Sequence, residues 1–147
     1  MKHKIAEIKI SYRPKKLGKE IKICHSEKAY EVILNNWNKN TIELFEEFKV
    51  LLLNNSNVPL GIYTLSKGGI TSTGVDLRLL FAVILKSGAV SFITVHNHPS
   101  SVLNPSKPDI NIYKKIKELS KIHGLNYLDN LIITPKGKYS FMDEGLK

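Results

Sequence analysis

The feature that most constrains this sequence is a pair of histidines that directly follows an apolar run. Residues 89–95 are apolar and partly β-branched, which predicts a buried strand. Side chains alternate along a strand with period two, so His96 and His98 leave its end on the same face. Pro99 then ends the strand, because proline cannot donate a hydrogen bond to a neighbouring strand. Two imidazoles on one face are half of a ligand set that commonly binds zinc.

A serine and an aspartate follow the histidines, and their spacing allows two interpretations. Ser106 is predicted to cap a helix over residues 107–123, with Asp109 at the third helical position. This Ser-x-x-Asp is close to a capping box, in which the serine accepts a backbone hydrogen bond and the acid reaches back. In the other interpretation, Asp109 is the third ligand of a metal bound by His96 and His98. Two histidines and an acid in one short segment favour the metal site.

Three protein ligands would leave a fourth position for water, which is the arrangement of catalytic rather than structural zinc. Water in that position is a usable nucleophile near neutral pH. Hydrolysis also requires a general base and a hydrogen-bond donor for the oxyanion. Ser106, just ahead of the predicted ligand, is a candidate for the donor.

The general base must come from elsewhere in the chain. Among the upstream acids Glu43, Glu46, Glu47 and Asp76, the last is explained more simply as a helix cap. Glu46 and Glu47 stand at the start of a strong strand, where a carboxylate can lie beside a site without entering the core. Strand alternation places them on opposite faces, and the pattern alone does not choose between them.

Composition bounds the class of protein. A chain of 147 residues with 42% hydrophobic and 24% charged residues suits one globular domain with a sizeable core. No apolar run approaches the roughly 20 residues of a membrane span, and the N-terminus leads into alternation rather than a signal sequence. The single cysteine, Cys24, excludes an internal disulfide and fits a cytoplasmic location, with a small buried side chain as its simplest role.

The net charge of +9 permits an acidic partner such as nucleic acid. The lysines are spread along the chain, however, and a solvated surface is the commoner explanation of that distribution. Weak binding to nucleic acid is therefore a secondary expectation.

The predicted order of elements is β-α-ββ-α-β-α-ββ, which favours one mixed sheet with helices on its faces. The first strand covers residues 6–12, which alternate cleanly, and a helix over residues 27–37 follows with Ser26 as its cap. A hairpin, an irregular connection over residues 70–74 and an apolar helix over residues 77–86 come next. Residues 77–85 are apolar on most sides and would suit a homodimer contact. His123 and Gly124 form an ordinary helix end, so His123 is predicted to be structural.

The ordered set Glu46, His96-Asn97-His98-Pro99, Ser106 and Asp109 resembles the JAMM motif of the JAB/MPN metalloprotease superfamily. The particular forms His96-Asn97-His98-Pro99-Ser100 and Asn104-Pro105-Ser106-Lys107-Pro108-Asp109 resemble its RadC-like branch in bacteria. The set is highly specific. The resemblance runs from about residue 26 to the C-terminus, through residues 46–53, 68–70, 131–134 and 139–141, and divides the chain into an N-terminal strand and basic extension (1–25) and a RadC-like JAB/MPN domain (26–147).

The resemblance implies a cytidine-deaminase-like JAB/MPN fold of the α/β class, in three layers with a mixed sheet. It also implies one zinc ion bound by His96, His98 and Asp109, with Glu46 as general base and Ser106 steadying the tetrahedral intermediate. Proven members of the superfamily hydrolyse peptide or isopeptide bonds, often to ubiquitin-like modifiers. A DNA-repair role has been attached to the RadC branch by name.

Three positions depart from the pattern of that branch. Ser101 stands where the branch usually has glycine, which predicts a stiffer loop. Pro108 directly precedes the predicted ligand Asp109, a position that a first helical turn tolerates. Asn130 follows Asp129 where the branch usually has Asp-His. The missing histidine is not in the core motif, so its loss is expected to affect the surroundings of the metal ligands or a contact with substrate more than metal binding itself.

Two functions from different classes follow as hypotheses. The first is a zinc-dependent hydrolase, a metallopeptidase or isopeptidase acting on a peptide or protein. The second is a nucleic-acid-associated accessory protein that uses the fold as a metal-stabilised scaffold. A module that only mediates interactions has no evident need of all five motif residues together.

Overall fold

The computed structural model describes residues 3–16, 18–68 and 74–146. Within these residues there are three helices and five strands. The helices are α1 (Ser26–Asn35), α2 (Leu77–Ser87) and α3 (Lys107–Ile122). The strands are β1 (Glu47–Leu53), β2 (Pro59–Lys67), β3 (Ser91–Asn97), β4 (Asn126–Thr134) and β5 (Gly137–Ser140). None of the helices in these ranges combines the length and apolar character that crossing a membrane requires.

The strands form one mixed sheet in the order β2-β1-β3-β4-β5. β1 pairs antiparallel with β2 and with β3, so the predicted hairpin is present. β3 pairs parallel with β4 through the crossover helix α3, and β4 pairs antiparallel with β5. This mixed sheet with helices on its faces confirms the predicted α/β class and is consistent with a JAB/MPN-like fold.

Helices cover both faces of the sheet, which gives three layers. α1 packs on one face, and α2 and α3 pack on the other. β1 and β3 are buried along their whole length because both of their faces are covered, which explains their continuous apolar runs. The core residues on the α1 side include Ala29, Ile33, Leu51, Leu53, Ile93 and Val95, and those on the other side include Phe48, Val50, Leu52, Leu80, Ile84 and Ile116.

Local capping explains where the helices begin and end. As predicted, Asp76 caps α2 by accepting a hydrogen bond from the N–H of Leu79 over 3.1 Å. Gly88 ends the helix with a left-handed φ of 68°. The predicted cap of α1 is wrong by one residue. His25, not Ser26, is the cap, because its Nδ1 accepts a hydrogen bond from the N–H of Lys28 over 3.2 Å.

The strand predicted over residues 6–12 does not form. Residues 3–16 lie in no described strand or helix, and Ile8 and Ile10 are 88% and 75% exposed. The prediction is wrong for a single chain because a strand needs a hydrogen-bonded neighbour, and no described strand pairs with this segment. The irregular connection predicted over residues 70–74 lies, apart from Gly74, outside the described residues.

Candidate metal centre

Three elements meet at one end of the sheet and bring four metal-ligating side chains together. Glu46 immediately precedes β1, and His96 and His98 lie at and just beyond the end of β3. Asp109 lies in the first turn of α3. Each of the four offers one ligand atom, and these atoms all lie within 4.8 Å of one another. The structure therefore brings together the residues that the sequence proposed as ligands and base.

The distances within this cluster fit a metal ion. Nε2 of His96 lies 3.0 Å from Nε2 of His98, and these atoms lie 3.3 and 3.4 Å from the carboxylate oxygens of Asp109. Ligands about 2.0–2.1 Å from a tetrahedral zinc ion lie about 3.3 Å from one another. The two ring nitrogens and the carboxylate thus converge on one point at the spacing that such an ion requires. The cluster can bind a divalent metal.

The orientation of His98 suits a metal ligand. Its Nδ1–H donates to the carbonyl of Val102 over 2.6 Å, which leaves Nε2 directed toward the cluster. Burial alone would lower the pKa of this ring, but the hydrogen bonds to Asp109 and Val102 outweigh burial and raise it. A negative charge beside the ring therefore already favours positive charge at this point.

His96 is more deeply buried than His98. Its ring stacks on Phe48, with centroids 5.9 Å apart and planes 9° from parallel. Within the described part of the chain, its Nδ1 is a buried atom without a hydrogen-bond partner. Its orientation rests on the stacking with Phe48 and on the contact of Nε2 with the carboxylate of Asp109, 3.3 Å away.

Ser106 and Asp109 form the predicted helix cap, and the carboxylate of Asp109 also lies in the cluster. The Oγ of Ser106 accepts a hydrogen bond from the N–H of Asp109 over 3.2 Å, and Oδ2 of Asp109 accepts one from the N–H of Ser106 over 2.8 Å, which is a complete capping box. The same carboxylate faces both histidines. Burial opposes its charge, but hydrogen bonds with His96 and His98 lower the pKa of Asp109 far below its usual range. The cap therefore orients an ionised carboxylate into the cluster.

The structure distinguishes the two glutamates that the pattern of the sequence left open. Glu46 is half-buried and belongs to the cluster. Glu47 points to the opposite face of β1, where its carboxylate lies 3.7 Å from Nζ of Lys49. Lys49 in turn lies over the ring of Trp37, 4.2 Å from its centroid. Glu47 is thus part of the α1 side of the molecule.

Asn97 contributes to the site although sequence reasoning did not single it out. Its Oδ1 accepts a hydrogen bond from the N–H of Glu47 over 2.7 Å. Its Nδ2 donates to the carbonyl oxygens of Ile42 and Phe45 over 2.7 and 2.9 Å. Because Asn97 lies between the two histidines, it ties the segment carrying Glu46 to the strand carrying the imidazoles. The sequence marks Asn97 only by its place between the two histidines, because its burial and its partners are seen only in the fold.

Comparison with known proteins identifies the family. The family model described as "RadC-like JAB domain" matches residues 23–146. That match covers most of the chain, including all four residues of the cluster. The chain belongs to the RadC-like JAB domain family.

Curated relatives of this RadC-like JAB domain chain come from several bacteria. A protein of Flavobacterium johnsoniae named "UPF0758 protein" is 54% identical over 101 residues, which are 69% of this chain and 44% of the relative. A protein of the same name from Clostridium beijerinckii is 33% identical over 132 residues, which are 90% of this chain and 56% of the relative. The chain spans about half the length of the curated relatives that it matches.

The departures from the RadC-like pattern now have physical explanations. Ser101, where the branch usually has glycine, adopts a left-handed φ of 64°, the conformation that glycine reaches without steric cost. Pro108 lies in the first turn of α3, where helices accept proline. Asn130 is buried in β4, and its Oδ1 accepts a hydrogen bond from Oγ1 of Thr94 over 2.7 Å. Asn130 thus contacts a neighbouring strand rather than a member of the metal cluster.

Proposed function

We propose that this RadC-like JAB domain is a zinc-dependent hydrolase of amide bonds, a metallopeptidase or isopeptidase. The observation that supports the proposal best is the convergence of Glu46, His96, His98 and Asp109 within 4.8 Å. A scaffold would not need a half-buried carboxylate beside three metal ligands. Membership of the JAB superfamily, which includes hydrolases, supports the same reaction class.

In this proposal His96, His98 and Asp109 bind the zinc ion. Two imidazoles and one carboxylate form a ligand set that catalytic zinc sites use, with one position left for water. A bound zinc ion supplies Lewis acidity, which makes water nucleophilic near neutral pH and polarises a carbonyl group. Val102, Ser106 and Phe48 keep the three side chains in place through the contacts described above.

Glu46 and Ser106 supply the remaining chemistry. Glu46 accepts a proton from the attacking water and transfers it to the leaving amine, which a half-buried carboxylate beside the ligands can do. The hydroxyl of the exposed Ser106 accepts its capping bond through a lone pair, so its O–H remains able to donate to the developing oxyanion. The substrate is a peptide or protein. A cytoplasmic location, which the single cysteine favours, is part of the proposal.

The decisive experiment compares two adjacent glutamates. Glu46→Gln keeps the size of the side chain but removes the base, so we expect zinc binding to persist while hydrolysis of a quenched peptide library or isopeptide-linked conjugates falls by about 100-fold or more. Glu47→Gln is the matched control, because its side chain lies on the other face of β1. We expect that variant to keep wild-type turnover.

The readouts are the turnover of the zinc-loaded protein and its zinc content by elemental analysis. Undiminished turnover in the Glu46→Gln protein would remove Glu46 from the mechanism. A wild-type protein that binds zinc but cleaves none of these substrates would contradict the peptidase proposal and leave the metal cluster intact.

A second candidate function is binding to nucleic acid, and one observation favours it. Lys15, Lys16 and Lys19 line the same cavity of about 420 Å³ beside the N-terminal half of β2. Three lysines and one acid, Glu20, line this concave surface, and the resulting net positive charge is suited to phosphate oxygens. This would make the family's domain an accessory module on nucleic acid.

Salt-dependent binding tests this second candidate. Fluorescence anisotropy with a labelled duplex should give an affinity that falls steeply with salt, and replacing the three lysines by alanine should reduce the slope by about one for each phosphate that the variant no longer neutralises. The matched control replaces three exposed lysines of α3 with alanine (Lys114, Lys115 and Lys121). Equal losses of affinity in both triple variants would indicate only a general charge effect, and no binding at ~50 mM salt would end the hypothesis.

A further inference from the structure

The N-terminal segment, residues 3–12, has the pattern of a strand but pairs with no described strand. Ile8, Ile10 and Tyr12 alternate with Glu7, Lys9 and Ser11 along it. Ile5, Ile8 and Ile10 are 93%, 88% and 75% exposed, although such residues are usually buried. Ile8 and Ile10, on the same face as Tyr12, are thus left uncovered by the described residues of their own chain.

The same chain carries a strand edge of matching length. β2 is nine residues long and lies at the edge of the sheet, with β1 as its described neighbour. Natural proteins usually protect such an edge with lysine or proline. In β2 these residues stand only at the ends, as Pro59 and Lys67, and residues 60–66 carry neither a charge nor a proline. The centre of this edge is open to an additional strand.

A groove beside the edge is suited to the alternating side chains. A cavity of about 260 Å³ lies between β2 and α2, with Leu52, Ile62 and Val83 among its lining residues. Gly61, which also lines it, would have only open space around a Cβ atom, so the absence of a side chain there widens the groove. Tyr12 of the same chain lies in this cavity, and its hydroxyl donates to the carbonyl of Leu60 over 3.4 Å, which shows that a side chain from this face of the segment fits the groove.

We propose that residues 3–12 add as an extra strand to the free edge of β2 in a second copy of this chain, in a reciprocal exchange. One chain offers both the unpaired strand and the unprotected edge, which is the self-complementarity of a two-fold symmetric dimer. The exchange explains why residues 6–12 carry a strand pattern although they pair with no described strand of their own chain. It also covers Ile8 and Ile10, which lie on the face that would enter the groove.

The size of the contact is sufficient for a stable dimer. Each copy contributes the ten residues of the segment, the nine of β2 and the groove residues on α2. Stable interfaces involve about 20–30 residues from each partner, so the exchange reaches that range. The apolar helix α2, predicted from the sequence as a homodimer contact, is less available for an interface between copies. Its residues Leu80, Phe81 and Ile84 pack on the chain's own sheet.

Two adjacent substitutions test the proposal on the chain of 147 residues. Ile10→Lys places a charge on the face that would enter the groove, and Ser11→Lys places the same charge on the opposite face. We expect sedimentation equilibrium to show a wild-type dimer whose dissociation constant rises about tenfold or more in Ile10→Lys and changes little in Ser11→Lys. The folded domain should be unaffected, since both side chains are exposed.

Hydrogen exchange identifies the surface that is covered. Peptides spanning residues 60–66 should exchange more slowly as wild-type protein concentration rises from low micromolar to submillimolar, and this protection should be lost in Ile10→Lys. A monomer across that range overturns the proposal. Protection of residues 60–66 in the monomer would instead show that the segment folds back on its own chain, and a dimer unaffected by Ile10→Lys would place the interface elsewhere; either result also overturns it.

Discussion

Asn97 fixes the backbone on both sides of Glu46. Its Oδ1 accepts a hydrogen bond from the N–H of the following residue, Glu47, over 2.7 Å, and its Nδ2 donates to the carbonyl of the preceding residue, Phe45, over 2.9 Å. Asn97 itself lies between His96 and His98. One buried amide therefore links the segment that carries the proposed base to the strand that carries two of the proposed ligands.

Replacing Asn97 with alanine should disturb both stability and the position of Glu46. The change leaves three main-chain groups without their partner (the N–H of Glu47 and the carbonyls of Ile42 and Phe45). Each buried polar group without a partner costs about 1–3 kcal/mol, so we expect the free energy of unfolding to fall by about 3 kcal/mol or more. Urea unfolding measures this loss, and turnover of the zinc-loaded protein should fall with it.

Asn126→Ala provides the control for this change. Asn126 is an exposed residue whose Nδ2 donates to Oγ of Ser91 over 3.3 Å. Its removal should cost less than about 1 kcal/mol and leave turnover unchanged. If Asn97→Ala were no more damaging than Asn126→Ala, the hydrogen bonds of Asn97 would not be what positions Glu46.

Zinc binding should depend on Asp109 and not on histidines outside the cluster. We expect about one zinc ion per chain in the wild type and loss of that zinc in Asp109→Ala. In the wild type, zinc at about 100 times its dissociation constant should raise the free energy of unfolding by about 2.7 kcal/mol. Elemental analysis and thermal unfolding provide the two measurements.

His25→Ser is the matched control for the zinc measurement. His25 lies outside the metal cluster and caps α1, and serine can take over its role as hydrogen-bond acceptor for the N–H of Lys28. This variant should therefore keep both its zinc and its stability. Zinc retained by Asp109→Ala, or lost by His25→Ser, would mean that the ion binds elsewhere.

The pKa of His98 gives the metal-free protein a defined pH dependence. Burial favours the neutral ring, but the hydrogen bonds to Asp109 and Val102 raise the pKa above its usual value of 6.5. A pKa that is higher in the folded state stabilises the fold fully below pH 6.5, and this contribution is lost as pH rises through the folded-state value. The metal-free protein should thus lose stability in this window, and His98→Asn should not show that loss.

Zinc should reverse this trend, because the ring must be neutral to bind the ion. Zinc affinity should rise with pH over the same window, and binding near pH 6.5 should release protons to the buffer. Isothermal titration calorimetry in buffers of different ionisation enthalpy measures that release. Zinc affinity independent of pH in this window would exclude His98 as a ligand.

The parts of the site that the sequence predicted are those set by local rules. Period-two alternation placed His96 and His98 on one face, and capping rules placed Asp109 in the first turn of α3, both within a segment of 14 residues. Most of the order of elements was predictable for the same reason. The choice of Glu46 over Glu47 needed the resemblance to the family, since alternation separates the two but does not say which face carries the metal.

The remaining features depend on contacts between distant residues. The partners of Asn97 lie 50 to 55 positions earlier in the chain, so no local pattern indicates its role. Residues 6–12 show the opposite case. Their alternation is typical of a strand, but no described strand of the chain pairs with them. Ser26 was predicted as a cap because its residue type is favoured, but the ring nitrogen of His25 serves that purpose one residue earlier.

Replacing Ser101 with glycine should stabilise the loop that joins the histidines to α3. Ser101 has a φ of 64° and is one of two described residues other than glycine with a positive φ. The left-handed conformation costs an L-residue about 1–2 kcal/mol, while glycine costs about 0.5–1 kcal/mol in unfolded-state entropy. We therefore expect the free energy of unfolding to rise by about 0.5–1 kcal/mol.

Ser100→Gly is the control, because Ser100 does not have a positive φ and its Oγ accepts a hydrogen bond from the N–H of Val102 over 3.4 Å. That variant should lose stability. Urea unfolding of both metal-free variants measures the difference, and a loss of stability in Ser101→Gly would show that interactions of the serine side chain outweigh the backbone conformation.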